Sequence, residues 1–155
     1  MVRLHLASTG KAKPPVDAKW SLTISYLAEV CARLGDARRA ERLYELLLPY
    51  RDITIFAAMT TVCCGSAARY LGMLACVIGD WSIAEEHFEA ALAMDERLEA
   101  WPWLAHTRHE FAVALLARGA RGDRATADSL LAAAVKTAQR LGMISLQQTI
   151  RSLTR

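Results

Sequence analysis

The chain has 155 residues, a length that fits one domain. Its formal net charge of +3 is too weak to indicate direct nucleic-acid binding. Apolar residues make up 54% of the sequence and aromatic residues only 7%, and Ala and Leu dominate, which favours close-packed helices over a sheet. The N-terminus has no continuous apolar core of a secretory signal, and Gly65 and Arg69 interrupt the apolar stretch at residues 56–78. We therefore predict an all-α cytoplasmic protein with no membrane contact.

Charge is distributed unevenly along the chain. Seven acidic residues and one arginine give residues 80–99 a net charge of −6, whereas seven basic and two acidic residues give residues 118–155 a net charge of +5. Such asymmetry favours contacts between elements, or between chains, over binding along one basic stripe.

The first part of the chain is predicted to form a lead-in and one helical hairpin. Residues 1–19 have no helical period and contain two consecutive prolines, which predicts an extended or disordered segment. The first helix begins near Asp17 and ends at Gly35, and Asp36 is a good N-cap for a second helix that ends near Pro49. The two-residue turn makes these helices antiparallel neighbours.

The middle of the chain is predicted to repeat this hairpin. Residues 50–56 are expected to form a loop, and a long third helix is expected over residues 57–78. Gly65 and Gly72 lie within this helix, where they lower its stability but let another helix approach closely. A second Gly-Asp turn then leads into a fourth, acidic helix over residues 82–95.

The last third of the chain is predicted to contain three more helices. The fifth helix begins at residues 99–102, because Pro102 is acceptable in a first helical turn. A turn at residues 119–123, longer than the two Gly-Asp turns, separates it from the sixth helix. A short and more polar seventh helix follows Gly142.

Aligning the turns reveals three related units. The matching positions of the second helices, 44 and then 43 residues apart, are Ala40, Tyr44 and Leu47; Ala84, Phe88 and Ala91; and Ala127, Leu131 and Ala134. Those of the first helices are Leu27, Ala28 and Cys31; Leu71, Gly72 and Ala75; and Phe111, Ala112 and Leu115. The set resembles a degenerate tetratricopeptide pattern, in which a small residue lets paired helices touch and a large one fills the gap beside it. The resemblance implies a right-handed superhelix.

Five segments resemble one family more closely. They are AEVC at 28–31, YELLLPY at 44–50, ARYLG at 68–72, HFEAAL at 87–92 and WLAHTR at 103–108. The family is the C-terminal helical region of large bacterial regulators with a P-loop ATPase module, some with an adenylate or guanylate cyclase domain in front and others with a LuxR-type DNA-binding domain behind. The resemblance implies a sensor or scaffold role, with a protein or a neighbouring ATPase or cyclase domain as partner. The sequence has no phosphate-binding loop, so it resembles only the tail of such a regulator.

The first helices of such an array line a concave groove, which supplies the candidate binding residues. The groove-facing positions are Glu29 and Arg33 in the first unit, Ser66, Arg69 and Met73 in the second, and His106 and His109 in the third, with Leu22, Ser25, Cys76 and Val113 beside them. This mixture of charge, hydroxyl, thioether and imidazole could hold a peptide or a small metabolite. The alternative is that three repeats curve too little to form a pocket and these residues are merely solvated.

Other groupings are weak as chemical sites. His106 and His109 could share a metal ion, but no third ligand has a recognisable spacing, so no metal or cofactor is predicted. The pairs Cys63-Cys64 and Asp95-Glu96 lie on predicted helices, where adjacent side chains diverge; core packing is favoured for the thiols and solvation for the acids. No spacing suggests a nucleophile with its base, so no enzymatic activity is predicted.

The prediction is an all-α fold of three antiparallel hairpins and a capping helix. Its parts are a lead-in at residues 1–19, a repeat domain at 20–142 with units at about 20–52, 57–96 and 101–142, and a capping helix at 143–155. The predicted function is protein–protein interaction in a bacterial signalling or transcription regulator, with small-ligand sensing in the groove as the alternative. No upstream repeat covers the first hairpin, and Trp20 and Leu22 are expected near that open end, which predicts stacking with another chain and a homodimer.

Overall fold

In a computed structural model that describes residues 18–57 and 62–153, the chain is mostly helical. Its elements are α1 (Ala18–Leu34), α2 (Ala37–Leu47), a 3₁₀ turn (Leu48–Tyr50), β1 (Thr54–Ala57), β2 (Val62–Ser66), α3 (Ala67–Ile78), α4 (Trp81–Arg97), α5 (Trp101–Arg118), α6 (Asp123–Arg140) and α7 (Ile144–Leu153). The predicted lead-in lies outside the described residues, apart from the start of α1. Within the described ranges, no helix combines the length and the hydropathy needed to cross a membrane.

A β-hairpin replaces the loop and the first half of the third helix that the sequence predicted. Strands β1 and β2 pair antiparallel, with Thr54 opposite Ser66 and Phe56 opposite Cys63. The prediction of a helix from residue 57 was wrong because β2 pairs with β1, in which Thr54, Ile55 and Phe56 are β-branched or aromatic and favour extended backbone. Gly65 has a φ of +86°, a left-handed conformation that a helix does not contain.

The start of α3 is fixed by local hydrogen bonds. The Ser66 hydroxyl accepts a hydrogen bond from the Ala68 amide at 3.1 Å, which caps the helix. The Tyr70 hydroxyl donates to the Cys64 carbonyl at 2.7 Å and ties the helix to the preceding strand. These bonds place the helix start ten residues later than predicted, at Ala67.

The two Gly-Asp turns form as predicted. Asp36 accepts a hydrogen bond from the Arg39 amide at 3.0 Å, so its N-cap prediction is confirmed, and Asp80 of the second turn accepts the equivalent bond from the Ile83 amide at 3.3 Å. The third turn is built differently. Asp123 lies within α6 and accepts from the Ala120 amide at 2.8 Å, which holds the longer turn closed.

Consecutive helices pack against one another around α3. This helix contacts α1, α2, α4 and α5, and α5 in turn packs against α6. One apolar cluster joins α1, α2, the hairpin and α3, and a second joins α4 to α7. Gly72 of α3 faces α4, where an added Cβ would meet the Phe88 ring at 3.1 Å. The predicted contact between the small residue and the large one is confirmed.

This contact gives a stability prediction. We expect Gly72→Val to lower the free energy of unfolding by about 1–3 kcal/mol, because the new methyl groups overpack against the Phe88 ring. Chemical denaturation measures the change. Adding Phe88→Leu should recover part of the loss that Gly72→Val causes in the parent chain. Since Val has a higher helix propensity than Gly, an unchanged or more stable single variant would contradict the contact.

The outer face of α1 is apolar and exposed. Tyr26, Leu27, Val30 and Leu34 are 58%, 47%, 53% and 72% exposed. The expectation that Leu27 belongs to the packed face of α1 was wrong, although its counterparts Leu71 and Phe111 are only 0% and 6% exposed. The counterparts are covered by preceding helices, whereas α1 has no described helix before it. We call these four residues the α1 stripe.

Trp20 and Leu22 were expected near an open end of the first hairpin, but they lie against the core. Both are half-buried and pack against the first apolar cluster. The Trp20 and Tyr50 rings meet edge to face, with centroids 5.0 Å apart. The exposed apolar surface of the first hairpin is therefore the α1 stripe.

Candidate functional site

A cleft lies between the three first helices. Its volume is about 360 Å³. The lining residues are Ala32 and Arg33 from α1; Met73, Cys76 and Val77 from α3; Trp81 and Phe88 from α4; His109, Glu110, Val113, Ala114 and Ala117 from α5; and Thr149 from α7. Most of these side chains are apolar, and the charged and imidazole groups are few, as in small-molecule sites.

Three of the seven predicted binding residues line this cleft. They are Arg33, Met73 and His109, and the neighbouring predictions Cys76 and Val113 line it too. Glu29 and His106 lie outside the lining, as do Ser66 and Arg69. Sequence reasoning missed the contributions of Phe88, Trp81 and Thr149, because second helices and the C-terminal helix were not expected to reach the groove.

Arg69 is the most buried charged side chain among the described residues. It was predicted to face a solvated groove, and it does not. Its side chain is fully buried, and Nη1 donates to both carboxylate oxygens of Glu110, at 2.6 and 2.8 Å. Nη2 approaches Glu29 at 3.4 Å, and the guanidinium lies 4.2 Å from the centroid of the Tyr70 ring. The charge of Arg69 is thus used inside the protein, where it joins α1, α3 and α5.

Burial and the partner charge act in opposite directions on the pKa of each member of this pair. The Glu110 carboxylate holds the pKa of Arg69 above its ordinary value, against the opposing effect of desolvation. Burial raises the pKa of Glu110, and the adjacent guanidinium opposes that rise. An arginine cannot lose its proton in a protein, so a buried guanidinium requires a carboxylate beside it.

Ser66 also differs from its predicted role. Its side chain is fully buried at the start of α3, and its hydroxyl is occupied as the helix cap. It ends β2 and pairs with Thr54 of β1. The prediction failed because the third helix was begun too early, which placed Ser66 on a helical face that does not exist.

The two histidines of α5 are neutral in this environment. Burial lowers the pKa of His106 to about 4, with a smaller contribution from Arg69. Burial, and then the charge of Arg33, lowers the pKa of His109. The Nε2 atom of His109 is buried and has no hydrogen-bond partner in the described part of the chain. His106 packs instead against Trp103, with ring centroids 5.6 Å apart.

The described residues do not assemble a metal site. Across 18–57 and 62–153, no three side chains of His, Cys, Asp or Glu come together in a group that could hold a metal ion. His87 contacts Tyr44, with 2.8 Å between His87 Nε2 and the Tyr44 hydroxyl.

The acidic and cysteine pairs are placed differently from the expected helical faces. Asp95 is buried rather than solvated, and it accepts a hydrogen bond from the Thr107 hydroxyl at 2.8 Å. Glu96 is exposed and pairs with Arg108 at 3.0 Å. Cys63 and Cys64 lie on β2 and not on a helix, and both are free thiols. Residues adjacent on a strand point to opposite faces, so they do not act as a pair.

Comparison with protein-family models, with curated proteins and with solved structures gives no match to this chain. The cleft, the buried ion pair and the α1 stripe are therefore interpreted from their own geometry.

Proposed function

We propose that this chain is a non-catalytic helical-repeat module that binds a helical surface of a protein partner through the α1 stripe. Its hairpins would form a tetratricopeptide-like right-handed superhelix, with α7 as the capping helix. The wider role would be that of a scaffold in a cytoplasmic bacterial signalling or transcription regulator, beside an ATPase or cyclase domain. The resemblance of five segments to such regulators supports that context.

The exposure of the α1 stripe carries this proposal. Leu27 is half exposed, yet the residues matching it in the next two first helices are buried beneath helices that precede them in the chain. The α1 stripe thus has the composition of a buried helix face, but no described helix packs over it as preceding helices pack over the matching residues of α3 and α5. Contiguous exposed apolar surface on a soluble protein marks an interaction site.

The expected occupant of the α1 stripe is a second copy of the chain. Two such stripes can pack against each other, as helix faces of this chain already do where α1 meets α3 and where α3 meets α5. A closed dimer also satisfies both copies at once, because the same patch can serve on each.

Light scattering tests this assignment directly. At micromolar concentration we expect a mass of two chains for the parent protein and of one chain for Val30→Glu, because a buried carboxylate on the apolar stripe opposes association. Leu98→Glu is the matched control, since Leu98 is exposed to the same degree at the end of α4. A one-chain mass for the parent protein, or a two-chain mass for Val30→Glu, would refute the assignment.

A second candidate function is sensing of a small ligand in the cleft. A specific observation favours it: the cleft is mostly apolar, is within the size range of small-molecule sites, and has polar groups from α1 and α5. The cleft and the α1 stripe are separate sets of residues, so the two functions are compatible.

A further inference from the structure

We propose that the cleft binds a small amphipathic monocarboxylate. The inference rests on the second candidate function and does not depend on association through the α1 stripe. It follows from the shape of the cleft, the composition of its walls and the balance of charges around it.

The walls require a ligand that is mainly apolar. Met73 and Val77 of α3, Phe88 of α4 and Val113 of α5 all line the cleft. A volume of about 360 Å³ lies near the lower end of small-molecule sites, which span about 300–1,000 Å³. The apolar part is therefore a short alkyl chain or a single ring rather than a peptide helix.

The charges select an anion for the polar end of the ligand. Arg33 and Glu110 are the charged residues of the lining, and both carboxylate oxygens of Glu110 already accept short hydrogen bonds from Arg69, which also approaches Glu29. Arg33 is exposed and forms no ion pair with any described residue. A cation would find no free carboxylate in the cleft, whereas a carboxylate would supply the counter-charge for Arg33.

His109 adds a second polar contact beside Arg33. The two side chains are close enough for the charge of Arg33 to lower the pKa of the imidazole. A neutral imidazole carries one N–H donor, and carboxylate oxygens accept such bonds. The Cys76 thiol adds no competing negative charge, because burial raises its pKa to about 11. We expect the carboxylate to contact Arg33 and His109, which both line the cleft.

Calorimetric titration with three matched eight-carbon probes tests the inference. Octanoate, octanol and octylamine share the apolar chain and differ only in the polar end. We expect octanoate to bind most tightly and octylamine least tightly. Equal affinity for octanoate and octanol, or no binding by any probe, would overturn the proposal.

Variants locate the binding and keep the test independent of the α1 stripe. Arg33→Gln should weaken octanoate binding about tenfold and leave octanol unchanged, because the variant removes the charged hydrogen-bond donor of the cleft. Arg38→Gln, at an exposed arginine outside the cleft, should change neither. Val113→Trp should abolish both by filling the cleft. Unchanged octanoate binding in Arg33→Gln or in Val113→Trp would refute the site, whereas a one-chain scattering mass would refute only the dimer.

Discussion

Replacing Arg69 with Met is expected to lower the free energy of unfolding by about 3–5 kcal/mol. The substitution keeps an unbranched side chain of similar length but leaves the buried Glu110 carboxylate without its counter-charge. It also removes the only described contact that links the first helices of all three units through one side chain, from Glu29 to Glu110. Urea denaturation of the parent and the variant measures this loss.

Two further variants decide whether the loss comes from the unpaired charge. Arg69→Met combined with Glu110→Leu should recover most of the stability, because replacing both members of a buried pair by apolar residues is often neutral or stabilising. Arg124→Met removes an exposed pair with Asp128 and should cost at most about 1 kcal/mol. If the double variant is no more stable than Arg69→Met, packing rather than charge explains the loss.

Acidification from pH 6.5 to 4 is expected to destabilise the fold by about 3 kcal/mol through His87 alone. Burial lowers the pKa of His87 from its ordinary value of 6.5 to about 4, and the charge of Arg51 lowers it further, with Asp52 opposing. The unfolded chain binds the proton first, so stability is complete above pH 6.5 and is lost as the pH falls toward 4. A pKa difference of this size corresponds to about 3 kcal/mol.

The residue-specific part of this pH dependence can be isolated. The pKa of His106 is lowered to about 4 as well and that of His109 is also lowered, so the parent chain should lose stability through all three imidazoles. His87→Gln keeps a hydrogen-bonding side chain near the Tyr44 hydroxyl but cannot titrate, and the unfolding free energy of this variant should fall less steeply between pH 6.5 and 4. Parallel curves for the parent and the variant would show that His87 does not titrate as the structure implies.

Local patterns of the sequence predicted the helical parts of the fold. The Asp36 and Asp80 caps depend on residues within three positions. The contact of Gly72 with Phe88 follows from the helical spacing in α3 and α4, which one tight Gly-Asp turn joins. The β-hairpin was missed because its strands are short and its apolar composition also suits a buried helix. Gly65 has a positive φ that a helix through this stretch would not allow, and the sequence shows the glycine but not its backbone angle.

The candidate site was only partly predictable because its polar groups find partners that are distant in sequence. Arg69 and Glu110 are 41 residues apart, and nothing near Arg69 in the sequence reveals that its charge is neutralised. Arg33, Met73 and His109 were found because the resemblance to tetratricopeptide-like arrays carries the groove-facing positions over to the first helices. Spacing predicts which face a residue occupies, whereas burial and pairing depend on the neighbouring helix.

Hydrogen–deuterium exchange of α1 tests most directly that the α1 stripe is the interaction surface. The exchange of amides in residues 23–34 is compared between a sample diluted far enough below micromolar concentration to dissociate the dimer and a concentrated one, with α6 as the internal reference. We predict that exchange in residues 23–34 slows as concentration rises and that exchange in α6 stays constant. The same exchange rates in residues 23–34 at both concentrations would contradict the proposal that a second copy covers this helix.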